Sequence, residues 1–323
     1  MQLLTLDILG NTLFGFDFQA LRHPESEHVT TYYTAHNAAL DSLYIAFPIL
    51  DRFPVGKRSK EHQAVGKFRS WLGTLATAKA KSIQQSCGDG DKPQDILSVL
   101  VRAWLDEKLT IEELLDELVT LILSGHDTTA SALTSVIYVL ATHPEIQAKV
   151  REEANREFSL HTSSMDIPST AEIKALWYLE ATIKETMRLY PPAPLLPTRT
   201  TAHDTMLGQM PIPKGSLVTL NIYALHRDEK YWENPTKLDP DRWLTTEGLI
   251  RDPPAWNPFT NGSRMCIAKG FALTEMKIVI SMLVRTYHFS LPNDSPHNER
   301  LLFGSSLVSN PRNLGINYRK LSK

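Results

Sequence analysis

Residues 110–142 constrain this chain more than any other segment. The run keeps helical periodicity throughout, opens on "TIEE" and stops at His143-Pro144. A Thr-x-x-Glu start satisfies two amides at a helix N-terminus, and proline cannot continue a helix. At 1.5 Å per residue the helix would be roughly 45–50 Å long, enough to cross a whole domain. The rest of the fold must be arranged around it. Helical periodicity also marks residues 3–14, 33–47, 62–85, 95–106, 144–158 and 169–189, with Asp95 at or near an N-cap and Pro191-Pro192 as a stop. "SCGDGDKPQ" (86–94) reads as a polar loop. Beyond Pro191-Pro192 the texture changes: "TRTTAHDTMLGQMPIPKGSLVTLNIYALH" alternates short β-prone runs with Gly and Pro turns and reads as a small antiparallel sheet. "ENPTKLDPDRWLTTEG" reads as loop, residues 267–287 as a final helix, and the tail "LLFGSSLVSNPRNLGINYRK" as one more hairpin. The expected fold is mainly α with small β-sheets (α+β). No segment reads as a linker, so residues 1–323 are expected to form a single domain.

Composition narrows the function classes. The chain has 323 residues, 42% hydrophobic and 22% charged, with a formal net charge of −2. Nothing there suggests a nucleic-acid partner. Two cysteines make neither a disulfide framework nor an iron–sulfur site, and a reducing compartment is the default. "MQLLTLDILGNTLFGFDF" carries Asp7 within its apolar run and lacks a basic start. It therefore reads as an amphipathic helix entered mid-fold, not as a signal peptide or membrane anchor. "GNTLFGFD" has glycine spacing but no Lys-Ser/Thr to hold phosphate, and no dinucleotide fingerprint, zinc motif or nucleophile elbow is present.

The chemistry concentrates in "PFTNGSRMCIAKG" (258–270). A lone cysteine is by default a small buried hydrophobe. Here Phe259, Gly262, Arg264 and Cys266 form Phe-x-x-Gly-x-Arg-x-Cys, which arises by chance in a chain this long roughly once in five hundred. Amides at a helix start stabilise an anionic sulfur. Gly262 permits a tight turn and close approach to something flat. Phe259 can pack on a ring, and Arg264 can pair with a carboxylate. Together they describe a haem seat. Cys87, in a polar Gly/Asp loop, has no apolar neighbours to seat a ring.

At this point the sequence resembles the cytochrome P450 family of haem-thiolate monooxygenases, along essentially its whole length. Four further segments carry the resemblance. "SGHDTTA" interrupts the apolar stripe of the long helix. From residue chemistry alone it reads as a local bend with back-bonded hydroxyls. The resemblance implies that it lies over the haem, with Thr128 holding oxygen and its water and Asp127 relaying protons. "KETMRLYPP" places Glu185 and Arg188 three apart on one helix face, by default a solvated pair worth about half a kcal/mol. With Arg242 of "LDPDRW", the resemblance implies a buried structural ion-pair network beneath the cysteine loop. "PAPLLPTRTTAHD" puts Arg199 where the family has a second haem-propionate partner, although a strand-surface arginine would look the same. In "ALHRDEKYWENPTKLDPDRW", His226 is expected to be structural, because the axial position belongs to Cys266.

Two departures matter. Ala268 stands where the family usually has glycine, a tolerable extra methyl group. The resemblance also begins at a helix well inside the family's fold, without the usual N-terminal anchor, first helices and strands. Two readings follow: a fragment or mis-started chain, or a protein that cannot close its site. On either reading, Leu118, Leu121 and Ile122 are expected to meet solvent. At about 25 cal/mol per Å² such exposure would be costly.

The resemblance implies haem b (iron protoporphyrin IX) with Cys266 as the axial iron ligand. It also implies insertion of one oxygen atom from O2 into an organic substrate, within lipid or secondary-metabolite metabolism. With no flavin or iron–sulfur site, electrons would come from NADPH through a separate reductase. Leu195, Leu196, Leu121, Ile122 and Phe303, at presumed pocket positions, favour a fairly large apolar substrate. The family is usually held at the endoplasmic-reticulum membrane; without an anchor, a cytoplasmic location is expected. The alternatives are a reductase-independent haem-thiolate isomerase or dehydratase, which tends to lack the acid–threonine pair, and a catalytically inactive truncated chain.

Overall fold

The computed structural model describes residues 1–53, 55–85, 95–158, 166–244, 253–304 and 307–321. The polar loop at 86–94, Cys87 with it, lies outside the described residues. The chain divides into two compact units, Met1–Ala130 and Ser131–Lys323, with the boundary inside one helix.

The first unit is helical. It contains α1 (Gln2–Leu9), a π-helical turn (Gly10–Phe14), α2 (Glu27–Ala39), α3 (Ser42–Ala46), α4 (Lys57–Gln85), α5 (Ile96–Leu105) and the start of α6 (Ile111–Thr142). The capping box predicted for α6 is present: the Glu113 amide donates to Thr110 Oγ1 at 3.2 Å and Glu113 Oε2 accepts from the Thr110 amide at 2.8 Å. Asp95 caps α5 as expected, its Oδ1 accepting from the Ser98 amide. On α4 the buried positions Ala64, Phe68, Leu72, Ala76 and Ala80 recur every four residues and form a single apolar stripe. That stripe joins Leu6, Leu9, Val29, Tyr32, Leu97, Leu114, Leu118 and Ile122 in one core. Glycine is required where α1 turns. A Cβ on Gly10 would lie 2.5 Å from both the Phe16 carbonyl oxygen and the Phe18 ring.

This core corrects one expectation. Leu118 and Ile122 are fully buried and Leu121 is partly buried. The helices of the same unit cover Leu118 and Ile122, which do not meet solvent; Leu121 does so only in part. The predicted helix at 33–47 is also two helices. It begins earlier, at Glu27, and breaks near Leu40, where Asp41 caps α3 through the Leu43 amide.

The second unit contains the remainder of α6, then α7 (Pro144–Glu157), α8 (Thr170–Ala175), α9 (Trp177–Leu189), α10 (Ile222–Leu225) and α11 (Lys269–Thr286). Helices α7, α9 and α11 contact one another and bury Ile146, Val150, Leu179, Ile183, Met187, Met276, Ile280 and Val284. The predicted helix at 169–189 breaks at Leu176. Glu153 on α7 accepts from the Tyr178 and Leu179 amides at 2.7 and 2.8 Å, so a second helix N-terminus forms there. The β structure is small and antiparallel, as expected: β1 (Arg199–Thr200) pairs with β4 (Leu217–Val218), and β2 (Thr205–Leu207) with β3 (Met210–Ile212). The tail differs from the prediction. β6 (Asn317–Lys320) pairs back onto β5 (Tyr287–Ser290), directly after α11, while Phe303 and Pro311 make a single bridge. Among the described residues no helix is long and apolar enough to cross a membrane.

Candidate functional site

In the second unit the chain reaches Cys266 through a 3₁₀ turn (Gly262–Arg264) and enters α11 three residues later. Gly262 has φ 76°, a left-handed conformation that favours glycine, and a Cβ there would meet nothing within 4 Å. The Cys266 amide donates to the Phe259 carbonyl at 2.9 Å, and Thr260 Oγ1 donates to the Arg264 carbonyl at 2.8 Å. These bonds tie the loop across its neck and leave the thiol exposed at its tip. The flanking apolar side chains are exposed too, Met265 by 50% and Ile267 by 93%. An exposed thiol between exposed apolar side chains, over a glycine with open space above it, is a shelf suited to a flat apolar ligand. Arg264 and Arg199 are exposed and form no ion pair among the described residues, so both can meet carboxylates. This donor set fits haem.

Behind the shelf the loop is rigidly supported. Phe259 and Trp256 are buried and lie 6.0 Å apart at near-perpendicular ring angles. Trp256 meets Trp243 at 5.4 Å, and Trp243 meets Trp232 at 5.7 Å. This aromatic column ends on the network predicted from Glu185, Arg188 and Arg242. A guanidinium has five N–H donors, and on Arg188 every one is engaged. Nε and Nη2 reach Glu185 at 2.8 and 2.9 Å; Nη1 reaches the His226 and Pro235 carbonyls, and Nη2 that of Lys237. Glu185 also accepts from Arg242 Nε at 3.0 Å, the Trp243 indole at 3.0 Å and the Asp239 amide at 2.9 Å. Both Glu185 and Arg188 are fully buried.

His226 joins the network to the loop. Its Nδ1 donates to the Arg188 carbonyl at 3.1 Å, and its Nε2 accepts from the Asn257 amide at 3.1 Å. Acceptance at Nε2 requires the neutral ring. Burial pushes its pKa down to about 4, so the ring stays neutral at physiological pH. His226 is structural, as its residue context suggested.

Asp127 and Thr128 lie in the first unit, on unbroken α6. The back-bonding expected of the bland reading is present: Thr128 Oγ1 donates to the Ser124 carbonyl at 3.0 Å and Thr129 Oγ1 to that of Gly125 at 3.4 Å. Gly125 has a packing role, since a Cβ there would lie 2.7 Å from Leu9 Cδ1. Asp127 is buried. Its Oδ1 accepts from Gln2 Nε2 at 2.9 Å and its Oδ2 lies 3.6 Å from His36 Nε2. His126, also buried, meets the Tyr32 hydroxyl at 2.9 Å, and burial lowers its pKa to about 4 against the opposing pull of Asp127. Sequence reasoning missed this surround. Tyr32 and His126 are 94 positions apart, and no local pattern links them.

The presumed pocket positions divide. Ile122 is closed into the first unit's core, Phe303 packs with Tyr190 at 6.1 Å, and Leu195 is exposed.

The sequence model of the cytochrome P450 family matches residues 1–317. Cytochrome P450 4V2 of Homo sapiens is 31% identical over 326 residues, covering 96% of this chain and 61% of that protein. Cytochrome P450 monooxygenase 128 of Postia placenta is 30% identical, covering 89% of this chain and 59% of that protein. The chain thus spans about three-fifths of the length of these relatives. A solved structure described as the cytochrome P450DA heme domain superposes with a TM-score of 0.78 at 25% identity, over 99% of this chain and 67% of that one. The chain belongs to the cytochrome P450 family.

Proposed function

We propose that this chain carries the haem seat of a monooxygenase that inserts one oxygen atom from O2 into an apolar organic substrate. Electrons would come from NADPH through a separate reductase. One observation carries the reading: the exposed Cys266 thiol, its amide pinned to the Phe259 carbonyl, between exposed Met265 and Ile267. Haem b bound through Cys266 would supply oxygen binding and O–O cleavage, which thiolate ligation favours. The chain's own residues would do the rest. The Cys266 thiolate would hold the iron and supply negative charge to it. Arg264 and Arg199 would pair with the group's carboxylates, and Phe259 would pack against its apolar part. The Thr128 hydroxyl and the Asp127 carboxyl hold and pass protons, acting as positioned acids. The Glu185–Arg188–Arg242 network keeps the loop in place and takes no part in proton transfer.

The reading is tested by supplying the full chain with haem, a P450 reductase and NADPH under isotopically heavy O2, against a panel of terpenes, steroids and long-chain hydrocarbons. One heavy oxygen per product molecule is expected; product without heavy oxygen, or none from any substrate, contradicts it. In Thr128→Ala, NADPH consumption should continue while peroxide replaces product. An unchanged product yield per NADPH would remove Thr128 from proton delivery.

A further inference from the structure

Three potential metal ligands converge in the first unit: His36 on α2, and His126 and Asp127 on α6. One ligand atom from each lies within 4.8 Å of the others, and all three residues are buried. His36 is only 4% exposed, yet neither of its ring nitrogens has a hydrogen-bond partner. A buried polar group without a partner costs about 1–3 kcal/mol, so native structures rarely keep one without a reason. The nearby Tyr33 hydroxyl is also buried without a hydrogen-bond partner, its ring 6.1 Å from His126 and 6.3 Å from His36.

We propose that His36, His126 and Asp127 bind a divalent zinc ion that ties α2 to α6. Imidazole and carboxylate suit zinc, and bonds of about 2.0–2.1 Å in a tetrahedron set ligand atoms about 3.4 Å apart. His36 Nε2 and Asp127 Oδ2 are already 3.6 Å apart. The outer contacts are those a metal site needs, because ligands require partners that fix their orientation. Gln2 holds Asp127 Oδ1, which orients the carboxyl with Oδ2 facing His36 Nε2. Tyr32 and the Ile122 carbonyl lie 2.9 and 3.3 Å from His126 Nδ1, while Nε2 has only the longer 3.4 Å approach of the Tyr32 hydroxyl, so Nδ1 is the better-held nitrogen and Nε2 the one offered to the metal. Two histidines and one carboxylate leave a fourth position for water. The proposal stands on the first unit's side chains alone; a zinc-bound Asp127 carboxyl would not pass protons, so proton passage in the zinc-loaded chain would rest on Thr128.

The test is equilibrium dialysis of the full, haem-loaded chain against zinc chloride, with a thermal melt at each loading. One tight equivalent is expected, together with a rise in melting temperature. His36→Gln should weaken that equivalent at least 100-fold and abolish the rise. Gln2→Ala, an outer-contact change, should weaken it about 10-fold. His62→Ala, at the exposed His62–Asp51 pair, should leave it unchanged and so controls for surface histidines. Equal zinc uptake by the wild type and His36→Gln would overturn the proposal. Should His36→Gln fail to fold, X-ray absorption of the wild type with one equivalent of zinc decides. Two imidazoles and no sulfur are expected; sulfur in the shell, or fewer than two imidazoles, would overturn it.

Discussion

Two buried charged clusters in this chain are built on opposite plans. In the second unit, Glu185 and Arg188 are saturated: every guanidinium donor is engaged and both carboxylate oxygens accept several bonds. In the first unit, the cluster around Asp127 leaves both nitrogens of buried His36 without a hydrogen-bond partner. A saturated buried pair holds one arrangement and has no capacity for anything else. An unsaturated one costs stability unless something further occupies it. The difference separates a saturated network behind the cysteine loop from a cluster whose buried His36 nitrogens make no hydrogen bond.

The largest expected effect lies on the saturated side. Arg188→Lys keeps the charge but loses the planar fork, leaving Glu185 and three backbone carbonyls short of donors. Breaking one partner of a buried pair costs about 3–5 kcal/mol. Soluble yield and haem-to-protein ratio should both collapse. A stable, haem-loaded Arg188→Lys protein with only a lowered rate would break the comparison.

The pH dependence of the second unit is next in size. His226, facing Arg188 and Arg227, has a folded pKa of about 4 against 6.5 unfolded. Between those values the unfolded chain binds a proton that the folded chain refuses, so stability is lost as pH falls from 6.5 to 4. Glu275 opposes it: burial raises its folded pKa to about 7 from 4.5, and its contribution is lost as pH rises through that window. Each shift is on the order of 3 kcal/mol. In the first unit His126, also lowered to about 4, adds a slope of the same sign as His226, so the wild type should lose stability as pH falls from 6.5 to 4. Glu275→Gln removes the opposing slope and should lose stability more steeply over that range. A Glu275→Gln profile no steeper than the wild type's, by urea unfolding, would contradict the raised Glu275 carboxyl.

The smallest effect is expected at the unsaturated cluster. In the metal-free chain, His36→Leu removes two nitrogens that make no hydrogen bond, one of them 3.6 Å from Asp127 Oδ2, and keeps the volume apolar. Stability should hold or rise by about 1 kcal/mol. A loss as large as that at Arg188 would show that His36 is satisfied after all.

Much of this was legible in local sequence. The long α6, its cap, the Phe-x-x-Gly-x-Arg-x-Cys loop and the Glu185–Arg188–Arg242 set depend on spacing within an element or on a family motif, and the structure brings the last three together. What could not be read depends on distant partners. Glu153 splits a continuous helical pattern into α8 and α9 because a carboxylate arrives from another helix. Leu118 and Ile122 were expected in solvent because the family's N-terminal part is missing from the resemblance, yet side chains of α1, α2, α4 and α5 cover them. His36 carries no local signal at all, since only the packing of α2 near α6 gives its nitrogens meaning.

The account depends most on Cys266 as the haem-iron ligand, and the carbon monoxide complex of the reduced full chain tests this directly. The wild type should show the red-shifted band of thiolate ligation, Cys87→Ala should keep it, and Cys266→Ala should lose it. A thiolate-type band that survives in Cys266→Ala, or vanishes in Cys87→Ala, would contradict the assignment.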